Sequence, residues 1–466
     1  MRRARIALLL PALAAATGWR GDGSGTYPRA TPPDGALGAP TWQIELPGWS
    51  NAGPVLVGDR ICAPSEPTTL TCVDAATGRS LWQKTSDYAD TLPATELAAW
   101  YQQLARYYAD EEAFDAARRE VSELRRALRS ASPPPDTSAR LEQVTQRMDQ
   151  LRASIEAVAV HLTPADKEII GYTSSSPVTD GRTIYALFGN GVVSAFAADG
   201  ARRWSRWIGA PPGRMNGYNF GTSSSLVLAD GVLVVPYGKL RGLDPATGAQ
   251  VWAANDVWRH FGTPAVVTVD GVAWLATPDG RLIRARDGEQ GAAGLGEMWF
   301  TSPYASGDTV WYVGGTTSGD MVGHVGVPAR GWRVTPSGDG VTATKLWETM
   351  LQCERSMYTP PILRDGQLWV VDAAAAVRVI DAATGALQRQ LDALPERPGT
   401  IFSPPALADD RIWILGEQGV LQTVDPAGSA VVAGHLSAAR APLTFDGRAL
   451  YVRTLRGLSR YDGDAP

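Results

Sequence analysis

The chain has 466 residues, 44% hydrophobic and 20% charged, with a net charge of -5, a balance that gives no basic footprint for DNA or RNA and speaks against a nucleic-acid partner. Its 49 glycines, 33 prolines and 16 tryptophans suit many short strands joined by tight turns better than a helical bundle. A repeating or closed β-architecture escapes the size limit of a single core at this length.

The N-terminus, "MRRARIALLLPALAAATG", has a basic start, a short apolar run from Ile6 to Ala16 and small residues suited to cleavage. Residues 1–17 are therefore expected to be a signal peptide, the alternative being a loose tail. The run is shorter than the roughly 20 apolar residues that span a bilayer, and no later stretch reads as transmembrane. An exported protein of the periplasm or the extracellular space is expected. Residues 18–40 read as a linker, and "TWQIELP" (41–47) as a strand with no partner of its own.

Cys62 and Cys72 lie on two β-like runs, "RICAPS" and "LTCVD", which fold back on each other if residues 66–69 form the turn. A cross-strand disulfide is expected there in an oxidising compartment. Cys353, the third cysteine, reads as a buried apolar side chain.

"VDAATGRSLW" (73–82) returns as "LDPATGAQVW" (243–252) and as "IDAATGALQR" (380–389). In each the Asp accepts hydrogen bonds from the turn and the Gly supplies a positive φ. The unit is strand, turn, strand, with an aromatic anchor. Looser copies at 195–204 and 424–432 bring the spacing between turn glycines to the 35–48 residues of a propeller blade. Two-residue turns between apolar runs give an independent count of eight, at 58–59, 180–181, 230–231, 270–271, 307–308, 365–366, 409–410 and 446–447.

Both counts predict an all-β, eight-bladed β-propeller. Blade 8 stops after its third strand, so the strand at 41–47 is expected to close the ring and cover the open edge. Residues 41–85 then hold the closing strand and blade 1, and 171–466 hold blades 2–8. Trp42, Trp82, Trp204, Trp252, Trp299 and Trp347 are expected to wedge between blades, as scaffold. Blades 6 and 7 lack such a residue, and weaker packing is expected there.

Residues 86–170 interrupt the period. Phe114, Ala117, Val121, Leu124 and Leu128 recur at 3-4 spacing, as do Leu141, Val144, Met148, Leu151, Ile155 and Val158. "SASPPPDTSA" (130–139) separates the two runs and offers Asp136, Thr137 or Ser138 as a cap. An antiparallel α-helical hairpin with coiled-coil pairing is expected, its first helix running from Ala94 to Ser130. It follows the outer strand of blade 1, so it projects from the face that carries the connections between blades and the funnel mouth. It is either an inert decoration or a docking arm or lid.

At Asp74, Thr77, Gly78 and Trp82, and again at Asp244, Thr247, Gly248 and Trp252, the chain resembles the PQQ-like propeller repeat; Asp381, Thr384 and Gly385 carry it in part. The opening "GWRGDGSGTYP" (18–28) is similar to the start of many exported members. The resemblance spans about 41–466 apart from the insertion. It implies the fold but leaves function open, because the family holds quinone-dependent dehydrogenases as well as non-enzymatic scaffolds similar to the outer-membrane assembly factor.

The segments entering each inner strand are expected to line the funnel. They bring together Trp49, Tyr172, Tyr218, Asn219, His260, Phe261, Arg355, Tyr358, Phe402 and Arg440. Such an aromatic ring with a few polar groups suits a ligand, unless these residues only pack the channel. A dehydrogenase of the family would need a catalytic Asp, a calcium ion held by oxygen ligands and, in many members, adjacent cysteines. The funnel segments offer Glu354 as almost their only carboxylate, there is no Cys-Cys pair, and the four histidines show no metal spacing.

No cofactor is expected, PQQ with calcium being allowed but unsupported. A non-catalytic scaffold for an envelope protein, peptide or glycan is expected first. A PQQ-dependent oxidoreductase and a small-ligand or sugar sensor are the alternatives.

Overall fold

The computed structural model describes residues 17–463 except 34, 165–168, 211–220, 255–260, 316–324, 354–355 and 392–393. Residues 1–16, most of the expected signal peptide, lie outside the described residues. The strands form eight sheets in chain order, and the inner strands of successive blades meet around the ring, as Val55–Val57 does with Val178–Thr179. The fold is an eight-bladed β-propeller. Each of the eight turns joins the first and second strands of a blade. At four of them both central residues take positive φ: Asp230 with Gly231, Asp270 with Gly271, Asp365 with Gly366, and Asp409 with Asp410. That is the type I′ geometry that matches the twist of a hairpin.

The repeat motif is a turn held by its own Asp. Asp74 Oδ1 accepts the N–H of Ala76 (3.1 Å) and of Thr77 (2.8 Å) and the Thr77 hydroxyl (2.8 Å), and Asp381 does the same with Ala383 and Thr384. These bonds, led by the threonine hydroxyl, hold both carboxyls below the usual carboxylate range.

The tryptophan wedges follow one rule at five junctions. The indole N–H of Trp42, Trp82, Trp204, Trp252 and Trp347 donates to a carbonyl beside the turn of the next blade, at Ala75, Ala198, Pro245, Ala285 and Ala382, over 2.9–3.1 Å. Each ring covers that turn's glycine; a Cβ at Gly78 would stand 2.7 Å from Trp42 and one at Gly288 2.7 Å from Trp252. Glycine is required there both by its positive φ and by the ring above it.

Trp299 is a correction. It is no wedge, because blade 4 has only three paired strands, Ala265–Val269, Val272–Ala276 and Leu282–Arg284. The Gly-rich stretch 285–298 takes the outer place, and Trp299 lies beyond it at the entry to blade 5, where its C=O accepts the N–H of Phe261 (2.9 Å). Blade 6, which has no tryptophan at the wedge position, uses Arg389, whose Nη1 donates to Pro426 O (2.9 Å) beside Gly428.

Blade 8 is closed by Trp42–Glu45, which pairs antiparallel with Gly457–Asp462 and sets Trp42 opposite Arg460. The preceding segment, expected as a linker, is laid through the central channel instead. Thr17 bridges Thr179 on the inner strand of blade 2, and Thr26–Tyr27 pairs parallel with Leu407 and Ala408 on the inner strand of blade 7. Further on, Thr31 and Leu37 donate backbone N–H groups to Gly447 and Ala433, filling the junction between blades 7 and 8. Strand edges in the channel need partners, and this segment supplies them.

Between its two pairings sits Arg20, only 3% exposed. Its Nη2 donates to Pro361 O (3.2 Å) and Pro405 O (3.4 Å), and its guanidinium lies over the Trp19 and Tyr304 rings. Burial pushes its pKa down to about 10.

The insertion is the expected helical hairpin: α1 (Ala94–Ala127) and α2 (Thr137–Ala159) pack on each other. The coiled-coil expectation is not supported. The buried seam is Ala117, Val121 and Val144, flanked by half-buried Leu124, Leu141 and Met148, because the 3-4 spacing lasts only about two heptads. Asp136 holds the cap position of α2 but makes no side-chain cap bond.

The base of the hairpin is clamped to blade 2 by aromatic rings. His161 stacks on Tyr88 at 3.8 Å and lies 4.4 Å from Trp207, while Trp100 meets Tyr88 edge-on at 4.7 Å. Burial lowers the His161 pKa.

Cys62 and Cys72 stand directly opposite each other on Arg60–Ser65 and Thr69–Asp74 and form a disulfide. Cys353 is fully buried, which pushes its thiol pKa up to about 12.

Candidate functional site

Each inner strand is entered by a short segment from the mouth face, and several of these segments place an aromatic ring just before a proline: "FGTP" (261–264), "FTSP" (300–303), "YTP" (358–360) and "FSP" (402–404). The proline starts the strand without spending a ladder N–H, and the ring before it is left at the channel wall. Phe261 and Phe300 stack at 5.5 Å and an interplanar angle of 7°. Phe300 meets Tyr358 edge-on at 5.6 Å, and Tyr358 lies 4.9 Å from Phe402. Arg440 ends the row, its guanidinium 5.5 Å from the Phe402 ring centre.

This arc, drawn from blades 4–8, lines a cavity of about 350 Å³. The opposite wall holds Asn51, Ser223 and the hairpin's return, Ile169 and Ile170; Trp19 of the channel segment also borders the cavity. Asn51 Nδ2 donates to the carbonyls of Ile169 and Ile170 (both 2.8 Å), and Arg440 Nη1 to Ile169 O (2.8 Å). The exit of the insertion is thereby tied to the mouth. A second cavity of about 400 Å³ lies further along the channel between the Gly18–Ser24 loop and the inner strands of blades 3–5; Trp19 borders both.

Of the expected site residues, Phe261, Tyr358, Phe402 and Arg440 line the mouth cavity. Trp49 and Tyr172 do not line it. They are 7% and 3% exposed and pack behind it, where Trp49 O accepts the Glu66 N–H and Glu66 Oε1 accepts the N–H of Tyr172 and of Thr173 (both 2.6 Å). Tyr218, Asn219, His260 and Arg355 lie outside the described residues, as does Glu354. The sequence reading did not single out Phe300, although it occupies the same place before its proline as Phe261 and Phe402. Trp19 and the two isoleucines carry no local signal, since only ring closure brings them to the mouth.

Among the described residues no carboxylate lines the mouth cavity, and Arg440 is its one cationic residue. A calcium-held quinone needs several oxygen ligands, usually carboxylates, so the described residues do not fit it. Among the described residues no group of three or more His, Cys, Asp or Glu could hold a metal ion, and no helix is long and apolar enough to cross a membrane.

The eight sheets, the closed ring and the wedge rule define an eight-bladed β-propeller. A family model described as outer membrane protein assembly factor BamB matches residues 25–123. Among solved structures the chain is similar to BamB from Moraxella catarrhalis, with a TM-score of 0.53 and 13% identity over 91% of this chain and 97% of that one. It is also matched to the computationally designed Ika8 protein, with a TM-score of 0.39 and 12% identity over 60% of this chain and 93% of that one. No curated protein matches it. At 13% identity the likeness to BamB is one of fold.

Proposed function

We propose that this chain is an exported, non-catalytic scaffold that binds a protein of the cell envelope through its mouth face and helical hairpin. The observation that carries this reading is the lining of the mouth: a continuous aromatic arc with, among the described residues, no carboxylate to act as general acid, base or metal ligand. The hairpin emerges beside that cavity and holds Tyr101 and Tyr108 exposed at 56% and 60%. The Cys62–Cys72 disulfide suits a periplasmic or extracellular location. The assembly-factor description of the matching family model points to the envelope as the place to look for the partner.

The test is site-specific photo-cross-linking in the native cells, with the reactive residue placed at Tyr108 or Ile169 and, as a control, at Asp270 on the opposite face. A discrete adduct from the first two positions and none from the third is expected. Dye reduction by the purified chain supplied with PQQ, calcium and an alcohol would overturn the reading.

A further inference from the structure

We infer that the mouth cavity is a receptor for an uncharged aromatic side chain presented by a partner polypeptide, an inference that rests on the scaffold reading above. Three observations fix the chemistry of the occupant.

First, four serines around the cavity each hold a neighbouring blade's backbone. Ser176 Oγ accepts the Gly53 N–H (2.9 Å), Ser225 Oγ the Ser176 N–H (3.0 Å) and Ser302 Oγ the Thr263 N–H (2.8 Å), while Ser223 Oγ donates to Phe261 O (3.1 Å). A sugar stacks on aromatic faces but also needs convergent polar side chains for its hydroxyls, and these serines already face neighbouring backbone.

Second, the described lining of the cavity is close to neutral. Arg440 stacks on Phe402, donates to Ile169 O and stands 3.6 Å from the Glu417 carboxylate. Among the described residues a polycarboxylate such as a quinone cofactor would meet one guanidinium that already has an acid beside it, and a cation would meet none of the carboxylates it needs. A neutral occupant with a π-face has the complementary charge, because rings offset or edge-on to the arc add about 0.5–1.5 kcal/mol to their burial.

Third, the molecule already uses this recognition on itself. Trp19 reaches the cavity from the channel on a segment that pairs through its backbone at Thr17 and again at Thr26–Tyr27. A polypeptide holding an aromatic ring against these walls is therefore a packing the propeller makes in cis.

The experiment is a fluorine NMR titration of the full chain with a capped pentapeptide, acetyl-Gly-Ser-(4-fluoro-Phe)-Ser-Gly-amide. A saturable shift in the millimolar range is expected. The affinity should fall at least about tenfold in Tyr358→Ala, as for an alanine substitution worth 1.4 kcal/mol or more at a binding hot spot, and return in Tyr358→Phe. Circular dichroism confirms that both variants are folded, and Phe402→Leu, which keeps apolar volume without the ring, provides a second handle. Maltotriose and PQQ should not displace the probe. No shift with a folded protein, or displacement of the probe by either competitor, overturns the inference. Hairpin cross-links that persist without peptide binding would sink this inference and spare the scaffold. Peptide binding without any cross-link from Tyr108 or Ile169 would sink the scaffold reading first.

Discussion

Truncating one wedge tests whether the ring is held as described. Trp252 is 8% exposed, donates to Ala285 O at 2.9 Å and covers Gly288, so Trp252→Ala removes an indole from the junction of blades 3 and 4. The usual loss for such a truncation is about 3–5 kcal/mol. With an unfolding entropy of about 2.1 cal/mol/K per residue, a chain of this length that melts cooperatively has roughly 1 kcal/mol/K, so the midpoint should fall by about 3–5 °C. Arg389→Ala supplies the comparison. Arg389 holds the corresponding place between blades 6 and 7 through one hydrogen bond to Pro426 O, worth about 1 kcal/mol, which predicts a fall of about 1 °C. Calorimetry of the two variants beside the parent gives both shifts. If Trp252→Ala melts no lower than Arg389→Ala, the wedge does not carry the junction and the rule drawn from five tryptophans fails.

Replacing residues 94–160 with a short Gly-Ser linker should leave a soluble propeller with its β-signal intact by circular dichroism, since the helices pack on each other; an insoluble product would make the hairpin part of the core. Under non-reducing conditions the native chain should show no thiol reactive to a disulfide reagent at pH 8, one after unfolding and three after unfolding with reduction. A reactive thiol in the folded state would contradict the burial of Cys353. The base of the hairpin should loosen in acid. Burial holds His161 below its ordinary value of about 6.5, so the unfolded state binds the extra proton first and the histidine's contribution is lost as pH falls below that value. The charged groups near the base are Asp87, whose pKa burial raises, and the Asp90–Arg202 pair. Faster amide exchange in the first turns of α1 at pH 5 than at pH 7.5 is expected, and a flat profile in His161→Phe. An unchanged slope in that variant would assign the effect elsewhere.

The blades could be read from the chain because each needs the same two local devices, an Asp-anchored turn and a ring one blade away, and both leave fixed spacings. The ring closure was legible for the same reason, since a lone strand with its tryptophan at 41–47 matched a blade that ended early. Trp299 misled because spacing cannot show whether an outer strand forms, and the stretch 285–298, which takes that place with only a bridge at Gln290 to the third strand, reads as an ordinary loop. Arg389 was invisible as a wedge because an arginine on an edge strand reads as solvated surface.

The channel segment shows the deeper limit. Glycine, proline and a lone arginine describe a linker by composition, and the likeness of residues 18–28 to the start of exported members says nothing of where the segment lies. Only when eight blades close does a central space exist with unpaired inner edges, into which the glycines at 21, 23 and 25 can turn with positive φ while Arg20 sits against the carbonyls of Pro361 and Pro405. The same is true of the mouth. Phe261, Phe300, Tyr358 and Phe402 are each one ring before one proline, separated by about a blade of sequence, and their arc is a property of the closed circle rather than of any stretch of chain. The cavity's character then follows from local needs: every inner strand must start, most starts use a proline and several a hydroxyl that bonds the neighbouring blade, and what those duties leave facing the axis is the ring. A partner that recognises this mouth is therefore reading the scaffold's own assembly residues, which is why binding and folding should prove separable there only through substitutions such as Tyr358→Ala that touch the ring and leave the serines in place.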